Sequence, residues 1–251
     1  MDLYELERYL NTLLNVGRFK DYCPNGLQVE GRAEINTLVT GVTASQALLD
    51  RAVALNADAI LVHHGYFWRG EAPEVRGMKK RRLATLLKAD MSLLAYHLPL
   101  DAHSELGNNA QLAKRLGIDI ESVMDERELQ GVGNIGVLSE PMSLMEFGLH
   151  VAFVLQREPV LVEGGSHLIK RIAWCTGGAQ NYIDRAAALG ADAYLSGEIS
   201  EQTTHSAREQ GIHYIGAGHY ATESYGVQAV GEHLAARFGI KHVFLNEGNP
   251  A

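Results

Sequence analysis

Short apolar runs alternate along this chain with longer stretches in which apolar residues recur every three or four positions. The first pattern is typical of buried strands and the second of helices with one buried face. The predicted strands are Thr37–Val42, Ala59–Val62, Leu93–Tyr96, Gly131–Leu138, Pro159–Val162, Arg171–Cys175, Ala193–Leu195 and His213–Ile215. The predicted helices are Ser45–Leu55, Lys79–Lys88, Asn109–Leu116, Ser143–Leu155, Gln180–Leu189, Thr203–Gln210 and Val227–Arg237. Strands that alternate with helices in this way predict an α/β protein with a sheet covered on both faces.

Both the order of elements and part of the sequence repeat within the chain. Leu48–Leu61 and Tyr182–Leu195 are identical at nine of fourteen positions, and Leu112–Ile118 matches Leu234–Ile240 at five of seven. The first pair is related by a shift of 134 residues and the second by a shift of 122, so the first copy carries about twelve extra residues. The loop Gly65–Gly77 is the obvious insertion. We therefore predict an internal duplication.

The duplication predicts two similar, intertwined α/β lobes with a metal site in the cleft between them. The first lobe is expected over residues 1–122 and the second over 123–251, with the C-terminal segment from about residue 212 packed against the first lobe. The strands predicted between the two copies, Gly131–Leu138 and Pro159–Val162, should make the sheet of the second lobe mixed.

Composition narrows the classes of protein that remain. The chain has 251 residues, of which 46% are hydrophobic, and can bury a sizeable core. Its formal charge of −8 argues against a generic duplex-DNA binder, although a basic patch on a ring-shaped oligomer would escape that argument. The N-terminus predicts an acidic amphipathic helix capped by Asp2 rather than a signal peptide, and no apolar run approaches the roughly 20 residues that cross a bilayer. Since Cys23 and Cys175 also fit no metal or redox spacing, we expect a cytoplasmic protein without a membrane partner.

One spacing of histidine and carboxylate occurs twice. His97 stands four residues before Asp101, and His219 stands four residues before Glu223, each pair after a short apolar run. Four residues are about one helical turn, so the two side chains of a pair can share a face and bind a metal ion. Taken alone, His219 and Glu223 also fit a partly buried histidine with a glutamate favoured by the helix dipole. The repeat favours metal ligands.

A pair of adjacent histidines points to the same chemistry. His63 and His64 end a predicted strand, where open α/β sheets place their ligands. Consecutive strand residues point to opposite faces, so both can reach one site only if the chain bends, which Gly65 permits. Otherwise one is a ligand and the other packs behind it. Because Pro99 requires any helical turn to start at or after it, His97 is predicted to support the ligands or to act as an acid or base, and a direct ligand is the alternative.

The number of candidate ligands indicates two metal ions. A catalytic zinc ion typically takes three protein ligands and a water, which is fewer than this chain offers. The candidate ligands are His63, His64, Asp101, His219 and Glu223. They suit two divalent ions that are bridged by a carboxylate and activate water for hydrolysis. Nitrogen and oxygen ligands fit zinc, iron or manganese and do not choose among them.

Other residues are weaker candidates. Glu198 and His205 are predicted, with His97, as acid/base or substrate-contact residues, Glu198 because Gly197-Glu198 is the second copy's equivalent of His63-His64. The turn Thr176-Gly177-Gly178 either holds an anion or is only a turn. The basic run Lys79–Arg82 is either a solvated helix face or a polyanion contact. The aromatic run Tyr66-Phe67-Trp68 either stacks on a substrate or packs.

Four long motifs carry a family resemblance over essentially the whole chain. They are ADAILVHHGYFWRG, HLPLDAHSELGNNAQLA, SGEISEQTTHSARE and GHYATESYG, and the early DYCPNGLQVEG belongs with them. Together they resemble the GTP cyclohydrolase 1 type 2 homologue family, also called the Nif-three-like family. The resemblance implies a two-lobed α/β protein, a dinuclear metal site with the five ligands named above, and a toroidal homohexamer. The family label points to hydrolytic opening of a purine nucleotide, and a role in handling damaged nucleotides or DNA damage has been considered.

These observations predict a dinuclear-metal-dependent hydrolase that acts on a nucleotide or purine-like small molecule through a metal-bound hydroxide. The alternative is a non-catalytic metal-binding scaffold or regulatory ring. A third hypothesis is a ring associated with nucleic acid, in which Lys79–Arg82 would contribute basic charge to the pore.

Overall fold

The computed structural model describes residues 1–127 and 130–251, which form two compact units. Unit 1 comprises Met1–Leu100 and Gly226–Gly248, and unit 2 comprises Asp101–Tyr225 and Asn249–Ala251. The boundary expected after residue 122 therefore lies inside unit 2. The C-terminal segment that belongs to unit 1 begins at Gly226 and not at about residue 212.

Helices and strands alternate along most of the chain. The helices are α1 (Leu3–Leu13), α2 (Gln46–Ala54), α3 (Gly77–Ala89), α4 (Leu98–Ala102), α5 (Asn108–Leu116), α6 (Leu144–Leu155), α7 (Ile183–Ala188), α8 (Glu201–Gln210), α9 (His219–Thr222) and α10 (Ser224–Phe238). The strands are β1 (Gly26–Val29), β2 (Thr37–Thr43), β3 (Ala59–His64), β4 (Ser92–Ala95), β5 (Ile118–Val123), β6 (Asn134–Met142), β7 (Val160–Val162), β8 (Ile169–Cys175), β9 (Ala193–Ser196), β10 (His213–Gly216) and β11 (Lys241–Phe244). The alternation confirms the predicted α/β class.

Helix α1 shows how local sequence sets an element. The Asp2 carboxylate accepts the Glu5 amide N–H at 3.0 Å, which satisfies one of the amides that the first helical turn leaves without a partner. Leu3, Leu6 and Leu10 recur at helical spacing and are buried. The predicted cap at Asp2 is therefore confirmed. No helix in the described part of the chain combines the length and apolar content that a membrane span needs.

The sheet of unit 1 has the strand order β1-β4-β3-β2-β11. Strands β4, β3, β2 and β11 run parallel, and β1 pairs antiparallel with β4 at one edge. The parallel register places Val62 of β3 opposite Ala95 of β4, so the residues that follow them emerge side by side at one end of the sheet. A continuous apolar cluster that includes Leu48, Ile60 and Leu93 forms the core.

The sheet of unit 2 has the strand order β5-β6-β8-β9-β10-β7. Its central strands β8, β9 and β10 run parallel, whereas β5, β6 and β7 pair antiparallel with their neighbours. The prediction of a mixed sheet in the second lobe is thus confirmed. The core of this unit contains the fully buried Trp174 and Phe147.

The two units repeat one arrangement. The order β2-α2-β3-α3-β4 in unit 1 corresponds to β8-α7-β9-α8-β10 in unit 2, and each set has an antiparallel edge strand, β1 or β7. Residues 65–76 separate β3 from α3, whereas only residues 197–200 separate β9 from α8, which is the predicted insertion in the first copy. Helix α5, the last helix of the first copy, belongs to unit 2, and most of α10 belongs to unit 1. Each unit therefore takes a helix from the other copy.

Candidate functional site

Three histidines meet at the carboxyl end of the unit 1 sheet, and we call them the histidine set. His63 and His64 end β3, and His97 follows the neighbouring strand β4. One ring nitrogen from each lies within 4.8 Å of those of the other two. The ring centroids are 4.5 Å apart for His63 and His64 and 5.0 Å apart for His63 and His97. The two adjacent histidines of β3 therefore reach the same place.

Backbone contacts orient His63 and explain the glycine after the pair. The Nδ1 atom of His63 lies 2.9 Å from the carbonyl oxygen of Tyr96. Because a carbonyl only accepts, Nδ1 carries the hydrogen and Nε2 is left with a lone pair, which is the form that binds metals. Gly65 is needed for close packing, because a Cβ there would lie 2.6 Å from the Cβ of Ala95.

Asp21 holds His97 through its Nδ1 atom. Its Oδ1 lies 2.9 Å from His97 Nδ1, and its Oδ2 accepts hydrogen bonds from Asn25 Nδ2 and from the Leu98 amide, both at 3.0 Å. Asn25 in turn accepts the His97 amide N–H at 2.7 Å. Since the carboxylate accepts, Nδ1 of His97 carries the hydrogen, and Nε2 is free to take one. The sequence signal for this support is the segment DYCPNG, which by its turn residues predicts only a loop.

The electrostatics of Asp21 agree with this role. Burial would raise its pKa. The hydrogen bond and charge of His97, together with the hydrogen bonds from Asn25 and from the Leu98 amide, outweigh burial and lower the pKa to about 2. The Cys23 thiol lies 3.9 Å from Asp21 Oδ1, and an atom of each lies within 4.8 Å of a ring nitrogen of His97. Because hydrogen bonds from protein nitrogen atoms already occupy both oxygens of Asp21, we interpret its carboxylate as a support for His97 rather than as a metal ligand.

Asp21→Asn tests this support through its pH dependence. The folded-state pKa of Asp21 lies below the ordinary value of 3.8, so the ionised carboxylate contributes stability above pH 4 that is lost as pH falls towards 2. We expect the variant to lose about 2 kcal/mol of unfolding free energy at pH 7 and less at pH 3. Urea denaturation at both pH values measures this. Asp50→Asn, on the exposed face of α2, should change stability by less than about 0.5 kcal/mol. An equal loss at both pH values would contradict the assignment.

Unit 2 holds the other candidates, Asp101, His219 and Glu223, which we call the carboxylate set. Asp101 is buried, and its Oδ1 accepts hydrogen bonds from Asn108 Nδ2 at 2.8 Å and from Thr176 Oγ1 at 3.2 Å. Asn108 and Thr176 are supporting residues that no sequence spacing indicates. Ligating carboxylates are commonly held by such hydrogen bonds.

Helix α4, which carries Asp101, begins one residue earlier than expected. The sequence places the start of any turn at or after Pro99, but α4 begins at Leu98. Proline is tolerated in a first turn because its missing N–H would have no helical partner there. The expectation about the helix start was wrong by one residue.

The four-residue spacing in the second copy brings its two side chains together. His219 begins α9 and Glu223 follows its last residue, and His219 Nε2 lies 3.2 Å from Glu223 Oε2. His219 Nδ1 lies 2.7 Å from Glu198 Oε1, so the imidazole stands between two carboxylates. Burial would lower the pKa of His219, but Glu223 and then Glu198 outweigh it and raise the pKa to about 9. Glu198 thus contacts a proposed ligand, and its predicted role as an acid/base or substrate-contact residue stays a prediction.

Two glycines make room for the carboxylate set. A Cβ on Gly177, whose φ is +70°, would collide with Glu223 and lie 3.2 Å from His219 Nε2. A Cβ on Gly197 would lie 2.7 Å from the Cα of His219. The amide of Gly177 donates to Thr222 Oγ1 at 3.1 Å. The turn at Gly177 therefore accommodates Glu223, which favours the interpretation of Thr176-Gly177-Gly178 as a turn rather than as an anion site.

His205 lies elsewhere on unit 2. Its Nε2 is 3.1 Å from Glu201 Oε1 on the exposed face of α8, and the two side chains are 60% and 84% exposed. The structure thus pairs His205 with Glu201 and gives it no support comparable to that of His97 or Glu198. On unit 1, the exposure of Lys80 and Arg81 favours a solvated helix face for that basic run.

The fold and these side chains define a duplicated α/β protein with candidate metal ligands in each unit. The chain belongs to the Duf34/NIF3 (NGG1p interacting factor 3) family, whose model matches residues 1–250. This confirms the family resemblance.

Similar proteins span the full chain. A Pseudomonas aeruginosa protein named GTP cyclohydrolase 1 type 2 homolog is 59% identical over 98% of this chain and 96% of its own length. An Escherichia coli protein of the same name is 51% identical over 98% of both chains. A solved structure described as protein ybgI of unknown function matches all of both chains with a TM-score of 0.97 and 50% identity. A solved structure of a Thermus thermophilus protein also covers both chains completely, with a TM-score of 0.90 and 35% identity.

Proposed function

We propose that this protein is a metal-dependent hydrolase that acts on a nucleotide or purine-like substrate. Its ligands for two divalent ions would be His63, His64, Asp101, His219 and Glu223. The observation that carries the proposal is the histidine set, in which three imidazoles offer nitrogen atoms within 4.8 Å of one another. We assign His63 and His64 to a divalent cation, which imidazoles bind readily, and keep His97 beside them for proton transfer.

The donor chemistry fits such ions. The proposed ligands are imidazoles and carboxylates, which zinc, iron and manganese all accept. His63 is held by a backbone carbonyl and Asp101 by an amide and a hydroxyl, which is the kind of support that metal ligands have. Bound divalent ions would lower the pKa of water and polarise the bond that is cleaved.

The remaining side chains suit proton transfer. Asp21 fixes the hydrogen of His97 on Nδ1, so that Nε2 can accept a proton from water and later return it to the leaving group. Glu198 holds Nδ1 of His219 and so orients that ring. We therefore assign proton transfer to His97 and orientation of His219 to Glu198, and we assign no role to His205.

The substrate class and the assembly rest on relatives. The similar proteins are named as homologues of a GTP cyclohydrolase, which supports a nucleotide-like substrate here. We include in the proposal the homohexamer that the resemblance implies and a cytoplasmic location. Met145, Leu149 and Phe153 of α6 support the assembly because they form one apolar strip, 63%, 64% and 76% exposed. Light scattering of the native protein tests it.

Activity assays test the enzyme. Protein loaded in turn with zinc, iron or manganese should hydrolyse GTP or an oxidised purine nucleotide, and a chelator should remove the activity reversibly. His97→Ala should lower kcat by about a hundredfold or more with unchanged metal content, because it removes only proton transfer. Absence of turnover on phosphate esters, amides and purines with any of these metals would reject the enzyme and favour the metal-binding scaffold.

A further inference from the structure

Two aromatic rings adjoin the histidine set in unit 1. Tyr22 and Trp68 each meet the His97 ring edge-to-face, with centroid distances of 5.0 and 5.1 Å. The two aromatic rings are 6.1 Å from each other and inclined by 33°, and Trp68 is also 6.0 Å from His64. Both rings therefore lie beside the nitrogen atoms that we assign to metal binding and proton transfer.

The loops that carry these rings are tied to each other. The amide of Arg69 donates to the Tyr22 carbonyl at 2.7 Å, and Arg69 Nη2 donates to the Asp21 carbonyl at 2.9 Å. Gln28 accepts the Tyr66 amide N–H at 2.7 Å and donates to the Tyr66 carbonyl at 3.1 Å. The positions of Tyr22 and Trp68 are thus set by hydrogen bonds, which lowers the entropy cost of using them to bind a ligand.

The aromatic residues of this region differ in what they offer. Tyr66 is buried, and its hydroxyl donates to the Ala44 carbonyl, so it packs. Trp68 donates its indole N–H to the Gly65 carbonyl at 3.2 Å, so what it can offer a ligand is the face and edge of its ring. Tyr22 is 50% exposed although it has a large apolar ring. Tyr66 therefore packs in the core, whereas the ring of Tyr22 is exposed enough to meet a ligand.

We propose that Tyr22 and Trp68 form a stacking subsite for the planar heterocycle of the substrate, a nucleobase or a base of similar size. Aromatic side chains stack on any nucleobase because every base has a π-face. A base stacked there would lie next to His97. The importance of this position rests on the proposed function, in which His97 transfers a proton. This assigns ring recognition to two residues outside the proposed ligands, one of which, Tyr22, lies in the segment DYCPNGLQVEG.

Binding experiments on the full-length protein test the subsite. Calorimetry with guanosine and with GTP as probes should show an affinity that falls about tenfold or more in Tyr22→Leu and in Trp68→Leu. Tyr22→Phe and Trp68→Phe should keep most of the affinity because they keep a ring. Tyr4→Leu is the matched control, since Tyr4 is a tyrosine of unit 1 with a similar exposure of 45%. Ribose 5-phosphate, which has no base, should bind all variants equally.

Tryptophan fluorescence gives a second readout. The chain has two tryptophans, and Trp174 is fully buried in the core of unit 2. Guanosine should therefore quench the emission of Trp68, and Trp68→Leu should abolish that quenching. Failure of guanosine to bind, or equal affinity in the wild type and both leucine variants, would overturn the inference. Ring-dependent binding without any hydrolysis would support the subsite while it rejects the enzyme, so the two failures are distinguishable.

Discussion

Replacement of both His219 and Glu223 with alanine should abolish metal loading at one or both positions of the proposed centre. The change removes an imidazole and a buried carboxylate whose Nε2 and Oε2 lie 3.2 Å apart. It also leaves Glu198 without its imidazole partner. Elemental analysis of metal per chain, after reconstitution with zinc, iron or manganese, measures the effect. Since metal that binds only the folded state adds stability, the increase in melting temperature on metal addition should shrink in parallel.

The same unit offers a matched control for this double change. Glu201 and His205 also form an i,i+4 pair of glutamate and histidine, with 3.1 Å between His205 Nε2 and Glu201 Oε1, but they are exposed on α8. Glu201→Ala with His205→Ala should therefore leave the metal content unchanged and alter stability by less than about 1 kcal/mol. Full metal occupancy in the His219/Glu223 variant would refute their assignment as ligands.

Much of the fold could be predicted because buried strands and one-sided helices leave strong periodic signals. The unpredicted strands are those with weak signals. In β5, Asp119, Ile120, Glu121 and Ser122 are all exposed, so this edge strand has no apolar run to detect. Strand β11 includes Lys241 and His242 and, among the described strands, pairs only with β2. Pairing partners such as these depend on tertiary contacts, which sequence periodicity does not encode.

The exchange of helices between the copies was only partly predictable. Sequence repeats show that α5 and α10 correspond, but not which core buries them. In the structure, Trp174 of β8 donates its indole N–H to the Asn109 carbonyl of α5 at 3.0 Å, within unit 2. This bond joins residues 65 positions apart. The local sequence pattern does not report a contact between residues so far apart in the chain.

The candidate site also combines contacts that the local sequence indicates with contacts that it does not. The four-residue spacing indicates the contact that the structure shows between His219 and Glu223, and the structure also groups His63 and His64 with His97. Spacing could not find Asp21, because its bond to His97 spans 76 residues. It also could not show that His205 is exposed, because the exposure of a helix face depends on what packs against it. Whether the five proposed residues bind metal stays a prediction.

The asymmetry between the copies has a steric reason within unit 2. Gly197 aligns with His63, and a side chain at Gly197 would collide with the backbone of His219. The second copy therefore has no room for an imidazole at this strand end. Its imidazole at His219, which aligns with His97, is held by Glu198, the equivalent of His64. Divergence of the duplicated halves thus left two histidines at this strand end in the first copy and a glycine and a glutamate in the second.

Gly177→Ala should weaken metal binding more than it weakens the fold. Its φ of +70° costs an alanine about 1–2 kcal/mol, and the new Cβ would collide with the Glu223 carboxylate. Glu223 is buried and paired with His219, so it can move away only by giving up that contact. We expect metal affinity, measured by competition with a chelator, to fall about tenfold or more, as it does when support around a ligand is lost.

Gly117→Ala separates backbone strain from collision. Gly117 has a φ of +67° at the end of α5 in the same unit, and nothing lies within 4 Å of its Cβ position. The Gly117→Ala variant should also lose roughly 1–2 kcal/mol of unfolding free energy, but it should keep its metal affinity. If both variants lost affinity equally, general destabilisation would explain the effect and Gly177 would have no special relation to Glu223. If Gly177→Ala alone loses metal, the glycine is required because the carboxylate occupies the space of a side chain, which ties a turn in the backbone directly to the proposed chemistry.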